Sequence, residues 1–179
     1  MPRRFRAPIE AVDRADGVTV WELDLPTEHR EAVVHLFGEL RQLIREGDPD
    51  RPPLIRLFPP TYVDDAEKQA EYRRLMHDDL IRSRIAQLDA AEALIGPDGP
   101  DELDEAGVVA LLQSVNAVRV VLGTILDVTD DPDDEELDDP GAGAESIRDV
   151  DDGLDDSPEH QLYGFLSWLL EWTVRSLSG

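Results

Sequence analysis

Apolar residues recur along this chain at two different periods. Near the start, RRFRAPIEAV (3–12) and VTVWELD (18–24) flank DRADG, whose Asp16–Gly17 pair offers the positive φ angles of a tight turn, so the spacing predicts a β-hairpin. The period then lengthens. Val33, Leu36, Phe37, Leu40, Leu43 and Ile44 stand at i, i+3, i+4 and i+7 intervals, which predicts an amphipathic helix with Thr27 as N-cap and Gly47 as its end. After LIRLFPPTYV (54–63), Asp64 followed by Glu67 has the form of a capping box and predicts a second helix running to Ile95. Tyr72 and Met76 lie nearly opposite Ile81, Ile85, Leu88 and Ile95 at 100° per residue, so this helix is expected to meet different neighbours along its length. Residues 105–126, mostly Val and Leu, predict a third helix. Ser157 as N-cap and Pro158 at the first helical position open a fourth, LYGFLSWLLEWTVRSL, which is apolar nearly all round and therefore expected to be central.

A two-stranded hairpin is marginal in water by itself and must lie against the helices. The fold expected is mainly α (α+β), an irregular four-helix bundle with an N-terminal β-hairpin. At 179 residues the chain has the size of one domain, 1–179. Between the first two helices, each proline of Pro59–Pro60 lacks an N–H and keeps its predecessor out of the α region, so Phe58 and Pro59 should be extended, with Leu54, Ile55, Leu57 and Phe58 covering the bundle. Phe58, Pro59, Pro60 and Tyr62 then have two readings. The favoured one is a structural hinge, which is the whole answer if Tyr62 is buried; if Tyr62 is exposed beside the prolines, the loop becomes the first choice for a partner surface.

Charge changes the picture at one place above all. The net charge is −24, and residues 127–156 hold 15 Asp and Glu against the single Arg148. That density, with its Pro and Gly, predicts a mobile or disordered acidic loop between the third and fourth helices, acting as a solvated linker. A surface this negative repels nucleic-acid phosphates and anionic lipid headgroups, so neither direct nucleic-acid binding nor membrane association is expected. The chain has no cysteine, which excludes disulfides, thiolate nucleophiles and Cys-ligated zinc, and fits a cytoplasmic protein. MPRRFRAPIE has no apolar export segment, and no run approaches the 18 consecutive apolar residues of a membrane span.

Motifs of catalysis are absent: no Gly-x-Ser-x-Gly, Ser-x-x-Lys, phosphate-cradling Gly-x-x-x-x-Gly-Lys, Gly-x-Gly-x-x-Gly or His-Glu-x-x-His occurs. No enzymatic activity and no cofactor are therefore expected. Glu31, His35 and Glu39 share a helix face that would hold a metal weakly, and the plainer reading is a solvated face. Arg119 falls among Leu112, Val115, Leu122 and Leu126, where an unpaired guanidinium is costly. With Asn116 and Gly123 it forms a polar notch, either an internal ion pair or helix cap, or a site for an anion or small molecule. Arg73, Arg74, Arg82 and Arg84 share their helix with Asp78, Asp79 and Asp89, which favours ordinary surface ion pairs. Trp168 and Trp172 read as core anchors.

LIRLFPPTYVDDAEKQAEYRRLMHDDL, NAVRVVLGTIL, the acidic gap and LYGFLSWLLEWTVRSL together resemble the actinobacterial AosR-like family, over most of the chain and most specifically at Leu57 to Tyr62 and Asn116 to Leu126. The resemblance implies a cytoplasmic, non-enzymatic regulator of oxidative-stress transcription that acts with a sigma factor or another regulator as protein partner, encoded near protein-degradation and sulfur-metabolism genes. This chain departs from it in one respect. Without cysteine no thiol pair senses oxidation, and Met1 and Met76 are its only methionines.

Overall fold

The computed structural model describes residues 7–127 and 157–178. Residues 128–156, which hold all of the expected acidic loop except Asp127, lie outside the described residues. Strands β1 (Ile9–Asp13) and β2 (Thr19–Leu23) pair antiparallel, with Ile9 opposite Leu23 and Asp13 opposite Thr19. Of the turn residues only Gly17 takes a positive φ, +82°. Asp16 instead turns the chain through its side chain, whose carboxylate accepts the Val18 N–H at 3.1 Å. A third strand, β3 (Glu102–Leu103), adds to β2 with Trp21 opposite Leu103. Two residues are too few to show an alternation, which is why the pattern predicted only a hairpin.

The helices are α1 (Thr27–Glu46), α2 (Ala66–Ile95), α3 (Glu105–Ile125) and α4 (Pro158–Ser178), so the fold is mainly α with a small antiparallel sheet. Their starts differ from expectation by one residue in two cases. Pro26, not Thr27, precedes the first turn of α1 and makes no side-chain cap. At α2 the cap is Asp65 rather than Asp64, its carboxylate accepting the Lys68 N–H at 3.0 Å. Asp104 caps α3 in the same way through the Gly107 N–H at 2.8 Å.

The central helix is α3. It packs on α1, α2, α4 and the sheet, and buries Val108, Leu111, Val115, Val118 and Val121. Its only charged residues are Glu105 and Arg119, so it has the length and hydropathy of a membrane span while serving here as the core helix. The expectation that α4 is central is corrected. It lies outside, burying Leu166, Leu169, Leu170 and Thr173 mainly against α3 and β1, and leaving Val174 49% exposed. Glu159, Glu171 and Arg175 keep its outer side in water, whereas α3 has no comparable polar face. Trp168 and Trp172 are half-buried at the core's margin. Trp21 is the buried indole, and its Nε1–H donates to the Ser176 carbonyl at 3.1 Å, tying the sheet to α4.

Two arginines of α1 hold the layers together. The Arg41 Nε lies 2.8 Å from Asp89 Oδ1 and its Nη2 pairs with Glu92, both on α2. The bond to Glu92 raises the guanidinium pKa against the opposing effect of burial. Arg30, only 7% exposed, donates Nη2 to the Leu23 carbonyl (3.0 Å) and Asp101 Oδ1 (3.1 Å), and Nε to the Leu25 carbonyl (3.2 Å). The Leu23 N–H in turn donates to the Asp101 carbonyl at 2.8 Å.

Gly47 ends α1 with an ordinary φ of −83°, so its smallness matters for a close approach. A Cβ there would lie 2.5 Å from the Leu43 carbonyl oxygen and 2.7 Å from Leu54 Cδ1. Gly47→Ala is therefore expected to destabilise the fold by about 1–3 kcal/mol. Arg30→Met, which leaves two main-chain carbonyls short of a donor, should cost about 2–3 kcal/mol. Urea unfolding with an unchanged denaturant slope checks both; a midpoint equal to that of the parent would refute the corresponding contact's role.

Candidate functional site

The segment between α1 and α2 turns on itself before its second proline pair. Leu54 and Ile55 donate to the Arg51 carbonyl at 2.9 and 3.1 Å, and Leu57 and Phe58 to the Leu54 carbonyl at 2.9 and 3.3 Å, so residues 51–58 wind in helical turns. The winding separates neighbours. Leu54 and Leu57 are 1% and 8% exposed, Phe58 is half-buried, and Ile55, expected to cover the bundle, points out at 38%. The restriction that proline places on its predecessor acts only at that position and leaves Leu54 to Leu57, none of which precedes a proline, free to turn.

Beyond Phe58 the chain is solvent-facing. Pro59 and Pro60 are exposed and Tyr62 is 42% exposed, its ring edge-on to Tyr72 at 5.9 Å. The Tyr62 N–H donates to Gln69 Oε1 at 2.8 Å, which fixes the loop onto the first turns of α2. Tyr62 is thus exposed beside the prolines, the condition under which the stretch offers a surface.

Between this segment and α2 lies a groove of about 620 Å³. Leu57, Phe58 and Pro59 form one wall and Tyr72, Ile81 and Arg84 the other. Pro60 and Tyr62 do not line it, although Tyr62 reaches it through Tyr72. Three of the four arginines on α2 pair as the sequence suggests: Arg73 with Asp50, Arg74 at 4.0 Å from Glu71, and Arg82 at 2.9 Å from Asp79. Arg84 differs. Its Nη1 donates to Gln87 Oε1 at 3.2 Å and its Nη2 reaches the Leu57 carbonyl at 3.5 Å, and no carboxylate among the described residues pairs with it. Burial pushes its pKa below the usual arginine value. A sequence signal for this existed, since Arg84 stands three residues after Ile81 and four before Leu88, on the apolar stripe itself.

Asn116 and Arg119 sit elsewhere, in a separate groove of about 490 Å³ between α3 and α4. Asn116 is exposed, and Arg119 is half-buried at the edge of the core. The Arg119 Nε donates to Ser167 Oγ at 3.0 Å, and the guanidinium lies 5.2 Å from the centre of the Tyr163 ring. Gly123 is buried beneath that ring, where a Cβ would approach Tyr163 Cε2 to 3.0 Å. The glycine is therefore a seat for Tyr163 and not a wall of the notch, while Glu171 brings a carboxylate into the same groove. Glu31, His35 and Glu39 are all exposed, and no group of three metal-ligating side chains converges among the described residues.

A family model described as "Domain of unknown function (DUF2017)" matches residues 3–177. No curated protein and no solved structure matches the chain.

The start of α2, on which this groove is built, is pH-sensitive in a defined direction. The Lys68 N–H, and secondarily the Lys68 side chain, hold the Asp65 carboxyl below its usual pKa. A depressed carboxyl stabilises the fold above its unfolded-state pKa of about 4, and that contribution is lost as the pH falls through the lower folded value. In an NMR titration the Lys68 amide should therefore shift below pH ~4, with the first turn fraying, and Asp65→Asn should abolish the transition. A Lys68 amide that follows the pH identically in both proteins would contradict the cap.

Proposed function

The chain belongs to the DUF2017 family, matched over residues 3–177, and from that premise we propose that it is a non-enzymatic regulatory module that docks a protein partner on the Phe58–Tyr62 loop and the adjoining groove. The observation that carries this reading is the 42% exposure of Tyr62 beside exposed Pro59 and Pro60. An aromatic ring whose backbone is fixed by Gln69 and which stands edge-on to Tyr72 supplies contact area at low entropic cost, as partner-binding aromatics do. Val63 (78%), Leu75 (60%) and Met76 (37%) add exposed apolar surface on the same segment and helix. The resemblance to the AosR-like family makes the partner a sigma factor or other regulator of oxidative-stress transcription, in the cytoplasm, with no direct nucleic-acid contact and no cofactor. The whole chain acts as a single domain in this reading, with the acidic stretch as linker.

A second reading, binding of an anion or small molecule at Asn116 and Arg119, is favoured by the groove beside them and opposed by Glu171 within it.

Affinity capture from a native lysate of the source cell tests the two together. A sigma factor or other regulator should be retained, and Tyr62→Ser should weaken its retention about tenfold or more while leaving thermal unfolding unchanged. Recovery of no regulator, sigma factor or protease component overturns the reading. Loss of capture with Arg119→Gln but not with Tyr62→Ser moves the site to the groove between α3 and α4.

A further inference from the structure

From Ala66 to Gln87 the helix α2 buries no side chain fully, and within that stretch Ile81 and Ile85 pack partly buried against the core; its fully buried residues are Leu88, Ala91 and Ile95. The loop that precedes α2 lies along this half-buried part, and the groove lies between the two. Within that groove Arg84 is out of keeping with its surroundings. The protein carries 41 acidic residues against 17 basic ones, so carboxylates are abundant, and each neighbouring arginine of α2 has one. Arg84 instead uses a glutamine side chain and a long contact to a main-chain carbonyl. A guanidinium has five N–H donors, and these two contacts leave most of its planar fork unused while its surroundings withdraw it from water. Burial lowers its pKa, as expected for a cation denied both full hydration and a counter-charge. On either side of it the groove is apolar, through Leu57, Phe58, Tyr72 and Ile81.

We propose that this groove takes a peptide segment of the partner that bears an Asp or Glu next to an aromatic or aliphatic side chain, with the carboxylate on the fork of Arg84 and the apolar side chain between Phe58, Tyr72 and Ile81. The inference rests on the docking reading above and names its specificity. A planar carboxylate matches the two parallel N–H groups of a guanidinium, which a neutral side chain does not. A doubly charged phosphate gains the same contact but meets more repulsion from a protein of net charge −24 and from Asp78, which lines the groove without an ion-pair partner among the described residues.

The test uses the full chain and its Arg84→Gln variant, each panned against phage-displayed random peptides. The parent should enrich peptides with Asp or Glu adjacent to an aromatic or aliphatic residue, and Arg84→Gln should keep the apolar preference and lose the acidic one. A synthetic peptide from the selected set should bind the parent roughly tenfold to a hundredfold more tightly than the same peptide with its acidic residue changed to the amide. That peptide-side comparison holds even if Arg84→Gln folds poorly. Selection of apolar peptides with no acidic preference, or a preference unchanged by Arg84→Gln, overturns the proposal while leaving the docking reading standing. Selection of phosphorylated residues over carboxylates in a phosphopeptide panel also overturns it. If the parent selects no peptide at all, both fall.

Discussion

The fold depends on how a buried guanidinium terminates a very small sheet. Where β2 hands over to α1, the chain must turn with its carbonyls already inside the protein, and Arg30 supplies the donors that Leu23 and Leu25 would otherwise lack. The same side chain reaches Asp101, one residue before β3, and the Leu23 N–H closes the connection from the other direction. Three elements distant in sequence are thus fixed by one residue of α1. Asp101 is largely exposed at its side chain, 91%, so the ion pair itself contributes little and the weight falls on the two main-chain acceptors.

With the sheet fixed, α3 becomes the element against which everything else is placed, and α2 sinks its fully buried residues into the core at its C-terminal end. Leu88, Ala91 and Ile95 enter the core, and Arg41 clamps Asp89 and Glu92 from α1 over the same turns. Before those turns α2 meets the core through the half-buried Ile81 and Ile85 and is joined by the loop from Leu54 to Tyr62. Gly47 makes that possible by letting Leu54 approach the end of α1 more closely than any Cβ would allow. The groove is therefore a consequence of architecture: a helix longer than the core beneath it, propped by the chain that leads into it.

The long periodic segments of the sequence were legible because burial acts on them residue by residue. The stripe from Val33 to Ile44, the hairpin, and the extent of α2 and α3 follow from spacing alone. The order of the helices in depth was not legible, since α3 and α4 are both rich in apolar residues and only the company of Glu159, Glu171 and Arg175 turns α4 outward. Nor was β3, whose pairing with β2 is set by Leu23 and Asp101 at long range. Of the residues singled out from the sequence, Phe58 and Pro59 line the groove beside α2 with Tyr62 next to it, and Asn116 and Arg119 line another; the buried arginine, Arg30, carried no comparable signal because its acceptors are main-chain carbonyls. A helical wheel shows which face a residue occupies; it does not show whether the neighbouring helix brings Ser167 and Tyr163 to meet it.

Charge sets the terms on which such a surface works. At −24 the protein repels acidic partners at distance, yet screening at physiological ionic strength confines that repulsion to roughly 8 Å. A half-buried cation inside a groove is screened far less than the exposed carboxylates around it. Long-range and short-range electrostatics then have opposite signs: encounter with an acidic segment is slowed, and the seated contact is strengthened. Basic ligands meet the reverse, attracted to the surface at large and opposed by Arg84 once inside. An arrangement of this kind would discriminate by the final contact and not by steering, so the specificity proposed for the groove would rest on the fit of one carboxylate between Phe58, Ile81 and Arg84.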